Sequence, residues 1–403
     1  MAESFESARA LILEKSSLLP AESVPLFEAA GRVLAEEIRA PWDMPRWDNS
    51  AMDGFAVRAE DCGPSKPLLI EGYIPAGATA EGICVGPGQA VRIMTGAPTP
   101  AGCDTIVPVE ETVENDGQVV IEGRIRVGDH IRVRGEDVRK DDLVIAAGSL
   151  LRPVEINMLA SFGFHAVVVF CRPKVAILST GDELVEPGEV PGPGQIINSN
   201  AYSLAAAVKE IGGEPVLLGI ARDNRESLTA KLLTGLQADV LITTAGVSMG
   251  DRDLVCEVLE DVGVERLFWK IDIKPGRPTA FGLKEGKPVF SLPGNPVSSM
   301  VTFEELVRPA LLKMMGHQRV IKPFIKATLK EATSTKAGRT QFLRVRVMRE
   351  GENLIASSAG DQNTGILSTM LRANGIAVLP ADRERVEAGE KVDIHMISDI
   401  DVF

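Results

Sequence analysis

The chain has 403 residues, of which 45% are hydrophobic and 25% charged, with a formal net charge of −13. That length exceeds one ordinary core and implies about two to four domains. The acidity, with only three Trp and two Tyr for base stacking, argues against a nucleic-acid role, and no apolar run approaches a membrane span.

The start MAESFESARALILEKS is charged and amphipathic and lacks an apolar signal-peptide core, so a cytoplasmic protein is expected. The five cysteines (Cys62, Cys84, Cys103, Cys171, Cys256) never form CxxC, and the four histidines (His130, His165, His317, His395) are dispersed. Reduced thiols and no structural zinc site follow.

Phe5, Ala8, Leu11 and Ile12 recur at helical spacing within residues 3–19, and a second helix is expected from about Leu26 to Ile38, before Pro41. From 43 to 139 the chain is rich in Gly and Pro with short strand-like runs (LLIEGYI, AVRIM, TIVPV, VVIEG) and an Asn115-Asp116-Gly117 hairpin signal, which predicts a small β domain. Helical texture resumes at RPVEINMLASFGF, residues 152–164. If that segment packs on the N-terminal helices, the β domain is an insertion in a helical domain spanning 1–42 and 140–173.

From 174 to about 322, apolar runs alternate with helical segments: VAILST, SNAYSLAAAVKEIGG, PVLLGI, RESLTAKLLTGL, DVLITTAG, DLVCEVLEDVG, RLFWKIDI, KPVFSLPG and PVSSMVTFEELVRPALLKMMG. Strands separated by helices of this length predict an α/β domain with a mostly parallel sheet. Residues 323–403 return to strand texture, with period-two alternation in Phe342–Val347. The fold class is therefore multidomain α/β with two flanking β segments.

Ligands of open parallel sheets collect at the carboxyl ends of strands, and four such ends are chemically unusual. In STGDELVEPG, Gly181 exposes backbone amides beside Asp182 and Glu183, although a capping turn explains the same residues. In TTAGVSMGDRD, Gly246, Ser248 and Gly250 permit close backbone approach to a phosphate or pterin, and Asp251 and Asp253 meet a helix start. KIDIKPGRPTAFG places Lys274 and Arg277 on a Pro/Gly-stiffened loop, a shape suited to an anion. In SLPGNPVSS, Pro293 and Pro296 bracket Gly294-Asn295, and Ser298 and Ser299 fall in a first helical turn. Outside this domain, RWDNSAMDGFAVR (Asp48, Asp53), MTGAPTPAGCDTIVPVEE (Thr95, Asp104, Glu110) and IRVRGEDV (Glu136, Asp137) spread carboxylates over several loops. Those acids fit a divalent cation with oxygen ligands, and equally an acidic surface. No Ser/His/Asp or Cys/His nucleophile set is evident.

Taken in order, DNSAMDGFA, MTGAP, RGEDV, STGDEL, GVSMGDRD, KPGRP, LPGNPVSS and GILSTMLRANGIAVLP resemble the molybdopterin molybdenumtransferases, the MoeA family, whose eukaryotic relatives are the E domains of gephyrin and its plant counterpart. The resemblance spans the chain. It implies an elongated helical domain, an inserted β domain (43–139), a nucleotide/pterin-binding α/β domain (174–322) and a C-terminal β-barrel (323–403). It implies insertion of molybdate into adenylylated molybdopterin with release of AMP in the presence of Mg²⁺ or another divalent ion. It also implies a homodimer in which the DNSAMDG loop of one subunit completes the other's site, with contacts to the adenylyltransferase and molybdoenzyme chaperones.

Carried over by position, Asp48, Thr95, Asp137, Glu183, Asp223, Asp253, Lys270 and Lys274 match functional positions, with Glu183 and Asp223 as metal-binding acids. Gly181, Asp182, Gly246, Ser248, Gly250, Pro293, Gly294 and Pro296 would shape the cofactor site. Lys274, Arg277, Pro278 and Ser298, with Arg344 and Ser368 from the C-terminal domain, would hold molybdate. Phe55 stands where tyrosine is common, Ala245 where glycine is, Arg277 where lysine is, and Asn363-Thr364 where Gly-Ser is. Arg277 keeps the charge and adds a planar fork. Two rivals remain at this level: the adenylyltransferase that makes the substrate, and a non-catalytic cofactor-binding scaffold.

Overall fold

The structure, a computed structural model, describes residues 2–245, 254–334 and 337–400. The chain divides into two compact units. One comprises Met1–Ala35, Gly148–Ile156 and Ala166–Phe403, and the other Glu36–Ala147 and Asn157–His165.

The first unit is built on a six-stranded sheet in the order Glu214–Ala221, Lys174–Thr180, Val240–Thr244, Lys287–Leu292, Ala280–Lys284, Glu265–Phe268. The first four strands are mutually parallel, and Ala280–Lys284 pairs antiparallel with both of its neighbours. Alternation sends Val175 and Ile177 to one face and Ala176 and Leu178 to the other. The first pair joins Leu204 and Val208 of the helix Ser199–Glu210, Val297 and Val301 of the helix Pro296–Thr302, and Phe5 and Ile12 of the helix Phe5–Lys15. The second pair joins Leu228 and Leu232 of Arg225–Gly235 and Val255 and Val258 of Leu254–Asp261. Burial on both faces is why these strands are continuous apolar runs.

Five further strands close a barrel: Phe324–Leu329, Thr340–Glu350, Asn353–Ser358, Gly375–Leu379 and Lys391–Met396. Its interior holds Ala327, Val345, Val347, Ala377, Leu379 and Ile394. Ile273–Lys274 pairs in parallel with Thr340–Gln341, so the KPGRP loop is attached to a barrel strand.

Three sequence expectations are corrected here. The helix expected over 26–38 is a short 3₁₀ turn, Leu26–Ala29, because Gly31 adopts φ 76° and ends it; Val33 and Leu34 then bridge to Leu150 and Val169. Segments 1–42 and 140–173 are accordingly poor in helix. They contain Phe5–Lys15 and Pro153–Ser161, with Ala21–Pro25 paired to Ala166–Phe170 and Ile38–Arg39 to Leu143–Ile145. RLFWKIDI is not one strand: Glu265–Phe268 belongs to the α/β sheet and Ile273–Lys274 to the barrel sheet. An additional strand, Ala280–Lys284, forms a hairpin with Lys287–Leu292 through Glu285-Gly286, both at positive φ.

The second unit carries a six-stranded sheet in the order Thr105–Pro108, Gly54–Val57, Gln89–Ile93, Pro67–Ile74, Gln118–Ile121, Thr112–Asn115. Its last two strands meet at Asp116 (φ 47°) and Gly117 (φ 76°), the hairpin expected there. Phe55 is fully buried among Val57, Leu68 and Val107, so no hydroxyl is needed at that position.

A buried polar cluster sits where the long C-terminal helix of the first unit meets the barrel. The helix widens into a π turn at Phe303–Val307, and Glu305 Oε1 there lies 2.6 Å from His395 Nδ1 on a barrel strand. Arg9 Nη1 stands 3.9 Å from Glu305 Oε2, and Phe324 stacks on the His395 ring at 4.0 Å. Glu305 and His395 are 3% and 4% exposed. Removing one partner of such a pair strands the other in low dielectric. Glu305→Ala is therefore expected to cost about 3–5 kcal/mol, read as a lowered denaturation midpoint; an unchanged midpoint would show that the cluster contributes no stability.

Candidate active site

The segments that follow Lys174–Thr180, Val240–Thr244 and Lys287–Leu292 converge on a cavity of about 480 Å³ at the carboxyl ends of these strands. Glu183, Pro278, Pro293, Gly294 and Pro296 line it, which brings five of the expected site residues to one place. Leu184, Ile196 and Ile197 supply apolar wall, and Asn198, Asn200 and Thr244 supply polar groups.

Hydroxyls at the strand ends form the floor. Ser179 Oγ donates to Asn198 Oδ1 at 2.7 Å and lies 3.1 Å from Thr244 Oγ1, while Thr180 Oγ1 donates to Thr244 O at 3.3 Å. Asn198 Nδ2 reaches Glu186 Oε1 at 3.4 Å. On the outer side, Asp182 and Asp223 clasp each other's backbone: Asp223 N donates to Asp182 Oδ1 (3.2 Å) and Asp182 N to Asp223 Oδ2 (3.4 Å). Arg222, which sequence reasoning missed, donates to Asp182 O at 3.1 Å and Leu184 O at 3.2 Å and so holds the STGDEL loop. Gly181 (φ 146°) has the Glu183 carboxylate folded against its Cα, where a Cβ would collide.

Ala245, at φ 68°, lies in the left-handed region that glycine favours. The methyl group costs about 1–2 kcal/mol there, which gives physical content to the glycine common at this position. The expected loop residues Gly246, Ser248, Gly250 and Asp253 lie outside the described residues.

The KPGRP loop is shaped by close packing. Gly276, at φ 104°, has no room for a Cβ, which would stand 2.5 Å from Thr302 Cγ2, and Thr279 Oγ1 donates to Gly276 O at 2.7 Å. Lys274 is exposed. Arg277 is half-buried, with Nε unbonded and 3.7 Å from Asp272 Oδ1. Ser298 is 4% exposed in the first turn of Pro296–Thr302. Lys270 lies against the Trp269 ring, 5.7 Å from its centroid.

Arg344 takes a different place from the one expected. It is fully buried, and its guanidinium donates to Thr369 Oγ1 (2.7 Å), Asp361 O (2.9 Å) and Asn363 O (3.2 Å). Burial lowers its affinity for the proton from the ordinary arginine value, opposed by the Asp361 charge. Arg344 thus fixes the Asp361–Asn363 loop rather than presenting its charge to solvent. That loop meets the cavity rim through Asn295 Nδ2, which donates to Thr364 Oγ1 at 3.2 Å. Ser368 is exposed at the start of the helix Ser368–Arg372.

Asp48, Thr95 and Asp137 lie in the second unit. Asp137 lines a cavity of about 640 Å³ there, with Trp42, Arg46, Trp47 and Arg132. Asp48 Oδ1 accepts from Arg134 N at 2.7 Å. Asp53 Oδ1 accepts from Thr95 N and Thr95 Oγ1, each at 2.7 Å, and these two bonds hold its carboxyl below the ordinary aspartate range. Asp43 is likewise lowered, by Lys140 N–H and then Arg134.

Against this geometry, three family models match the chain in order: the MoeA N-terminal region (domain I and II) over residues 3–163, a "Probable molybdopterin binding domain" over 176–313, and the MoeA C-terminal region (domain IV) over 326–397. The chain is 39% identical to the molybdopterin molybdenumtransferase of Haemophilus influenzae over 394 residues, covering 96% of this chain and 97% of the relative. It is 37% identical to molybdopterin molybdenumtransferase 2 of Mycobacterium tuberculosis over 385 residues, with 92% and 94% covered. A crystal structure of the molybdopterin biosynthesis MoeA protein of Pyrococcus horikoshii superposes with a TM-score of 0.85 at 32% identity, covering 99% of this chain and all of that one. With motifs, domain order and fold agreeing over its whole length, the chain belongs to the MoeA family of molybdopterin molybdenumtransferases.

Proposed function

We propose that the chain transfers molybdenum from molybdate to adenylylated molybdopterin and releases AMP. The observation that carries this is the strand-end cavity with the Lys274–Arg277 loop beside it: Pro278 lines the cavity and directly follows Arg277. A chain of net charge −13 needs such a local concentration of cations to hold a dianionic oxyanion next to a phosphorylated pterin. Lys274 and Arg277 bind molybdate, and Ser298 donates a hydrogen bond. Arg344 contributes by setting the loop that leads to Thr364, and Ser368, exposed at the start of its helix, is offered as a further hydrogen-bond donor. The apolar wall of Leu184, Ile196 and Ile197 takes the flat pterin. The matches to N-terminal, central and C-terminal regions weigh against a single-domain adenylyltransferase.

Mg²⁺ belongs to this proposal. Among the described residues, no three His, Cys, Asp or Glu side chains are grouped to hold a metal. Glu183 and Asp223, the acids carried over from the family pattern, are the residues that would hold such an ion, with its remaining ligands from phosphate and water. When bound, that ion supplies neutralisation of charge on the phosphoanhydride. The protein's own part is positional: the Asp182–Asp223 clasp and Arg222 hold Glu183 at the cavity edge.

A homodimer with Asp48, Thr95 and Asp137 serving the partner's cavity also belongs here, as do a cytoplasmic setting and hand-over to molybdoenzyme chaperones. Among the described residues no helix is long and apolar enough to cross a membrane.

Two measurements test this reading. Arg277→Ala should raise the molybdate concentration needed for half-maximal AMP release by about 10- to 100-fold, the scale of one charge-assisted hydrogen bond, with nucleotide affinity unchanged; an equal loss of nucleotide affinity would reassign the loop. Asp48→Ala and Glu183→Ala subunits, each inactive alone, should recover about a quarter of wild-type activity on mixing, because half the dimers are mixed and each has one intact site. No recovery would place both residues in a site made by one chain.

A further inference from the structure

Asn200 is the second residue of the helix Ser199–Glu210, lines the strand-end cavity and is 9% exposed. Its Nδ2 donates to Gly294 O at 2.8 Å. A carbonyl can only accept, so this bond decides which end of the carboxamide is nitrogen. Oδ1 is consequently the other end, and among the described residues it is buried with no donor. Buried acceptors ordinarily have a partner, so an orphan in a cavity wall points to a donor on the ligand.

The neighbouring Asn198 shows the contrast. At 2% exposure it has both ends engaged, Oδ1 by Ser179 Oγ and Nδ2 with Glu186 Oε1. It therefore makes no side-chain cap, and the first amides of a 12-residue helix are left uncapped beside the same cavity. The walls next to these polar groups are Leu184, Ile196, Ile197 and Pro293, a setting for a flat ring.

We propose that Asn200 is a specificity-determining residue. Its Oδ1 accepts a hydrogen bond from the amide or amino N–H edge of the pterin, and so selects heterocycles that carry a donor there. This rests on the functional reading above, and adenine could offer a comparable amino donor, so the test separates the two sources.

Full-length wild-type and Asn200→Leu proteins are titrated with pterin-6-carboxylate by its fluorescence, and with its N3-methyl and 2-dimethylamino derivatives and AMP. Wild type should lose about 10- to 100-fold in affinity for the derivative that lacks the bonded proton. Asn200→Leu should bind the parent pterin weaker by the same factor and no longer discriminate. Equal discrimination by wild type and Asn200→Leu overturns the assignment and leaves the functional reading standing. A loss confined to AMP also overturns it, by giving the acceptor to adenine. Absence of pterin binding by wild type overturns both. Should Asn200→Leu fail to fold, the derivatives on wild type decide alone: equal affinity for all three pterins refutes the role.

Discussion

Ile273 and Lys274 pair in parallel with Thr340 and Gln341, and this short graft of chain onto a barrel strand governs where the cations stand. After Phe268 the chain leaves the α/β sheet, runs along the barrel, turns through Pro275-Gly276 and re-enters the sheet as Ala280–Lys284. The loop is confined at both ends by sheet hydrogen bonds and in its middle by Thr302 against Gly276. Lys274, Arg277 and Pro278 are thus held on a framework rather than on a free loop, which lowers the ordering cost of binding an anion there.

The same region shows how an acidic protein places positive charge. Arg277 is half-buried near Asp272 without a hydrogen bond at Nε. Arg344 is fully enclosed and satisfied by one hydroxyl and two carbonyls. Its direct acceptors are neutral, and the Asp361 charge offsets part of the cost of burying the guanidinium. Arg222 does the equivalent at the other side of the cavity, gathering carbonyls of the Asp182–Leu184 segment.

Much of the architecture was legible because one pattern decided each element. Val175–Leu178 is a continuous apolar run because helices cover both faces, and Asp116-Gly117 announces its hairpin by backbone preference alone. Failures came where two constraints overlapped. Residues 26–38 have helical spacing, yet Gly31 in the left-handed region breaks them into a turn and bridges. Ala280–Lys284 is a short strand hidden behind a Pro/Gly loop. Arg344 occupies an alternating strand whose charged positions read as solvent-facing; the loop through Gln362 and Asn363 covers that face, which no local pattern announces. Glu183, Pro293 and Gly294 were legible as strand-end residues. Asn200 was not, because asparagine at a helix start reads as a cap and its orphaned oxygen exists only once Gly294 is beside it.

The barrel carries one further consequence. Five strands closed on themselves leave no continuous row of unpaired backbone amides, and the overhanging start of the long strand, Thr340–Gln341, is already occupied by Ile273–Lys274. An open edge of this kind is where foreign strands add and aggregates begin. The segment that positions the cations therefore also seals the barrel against promiscuous β-pairing, so one stretch of backbone protects the solubility of the fold and aligns its chemistry.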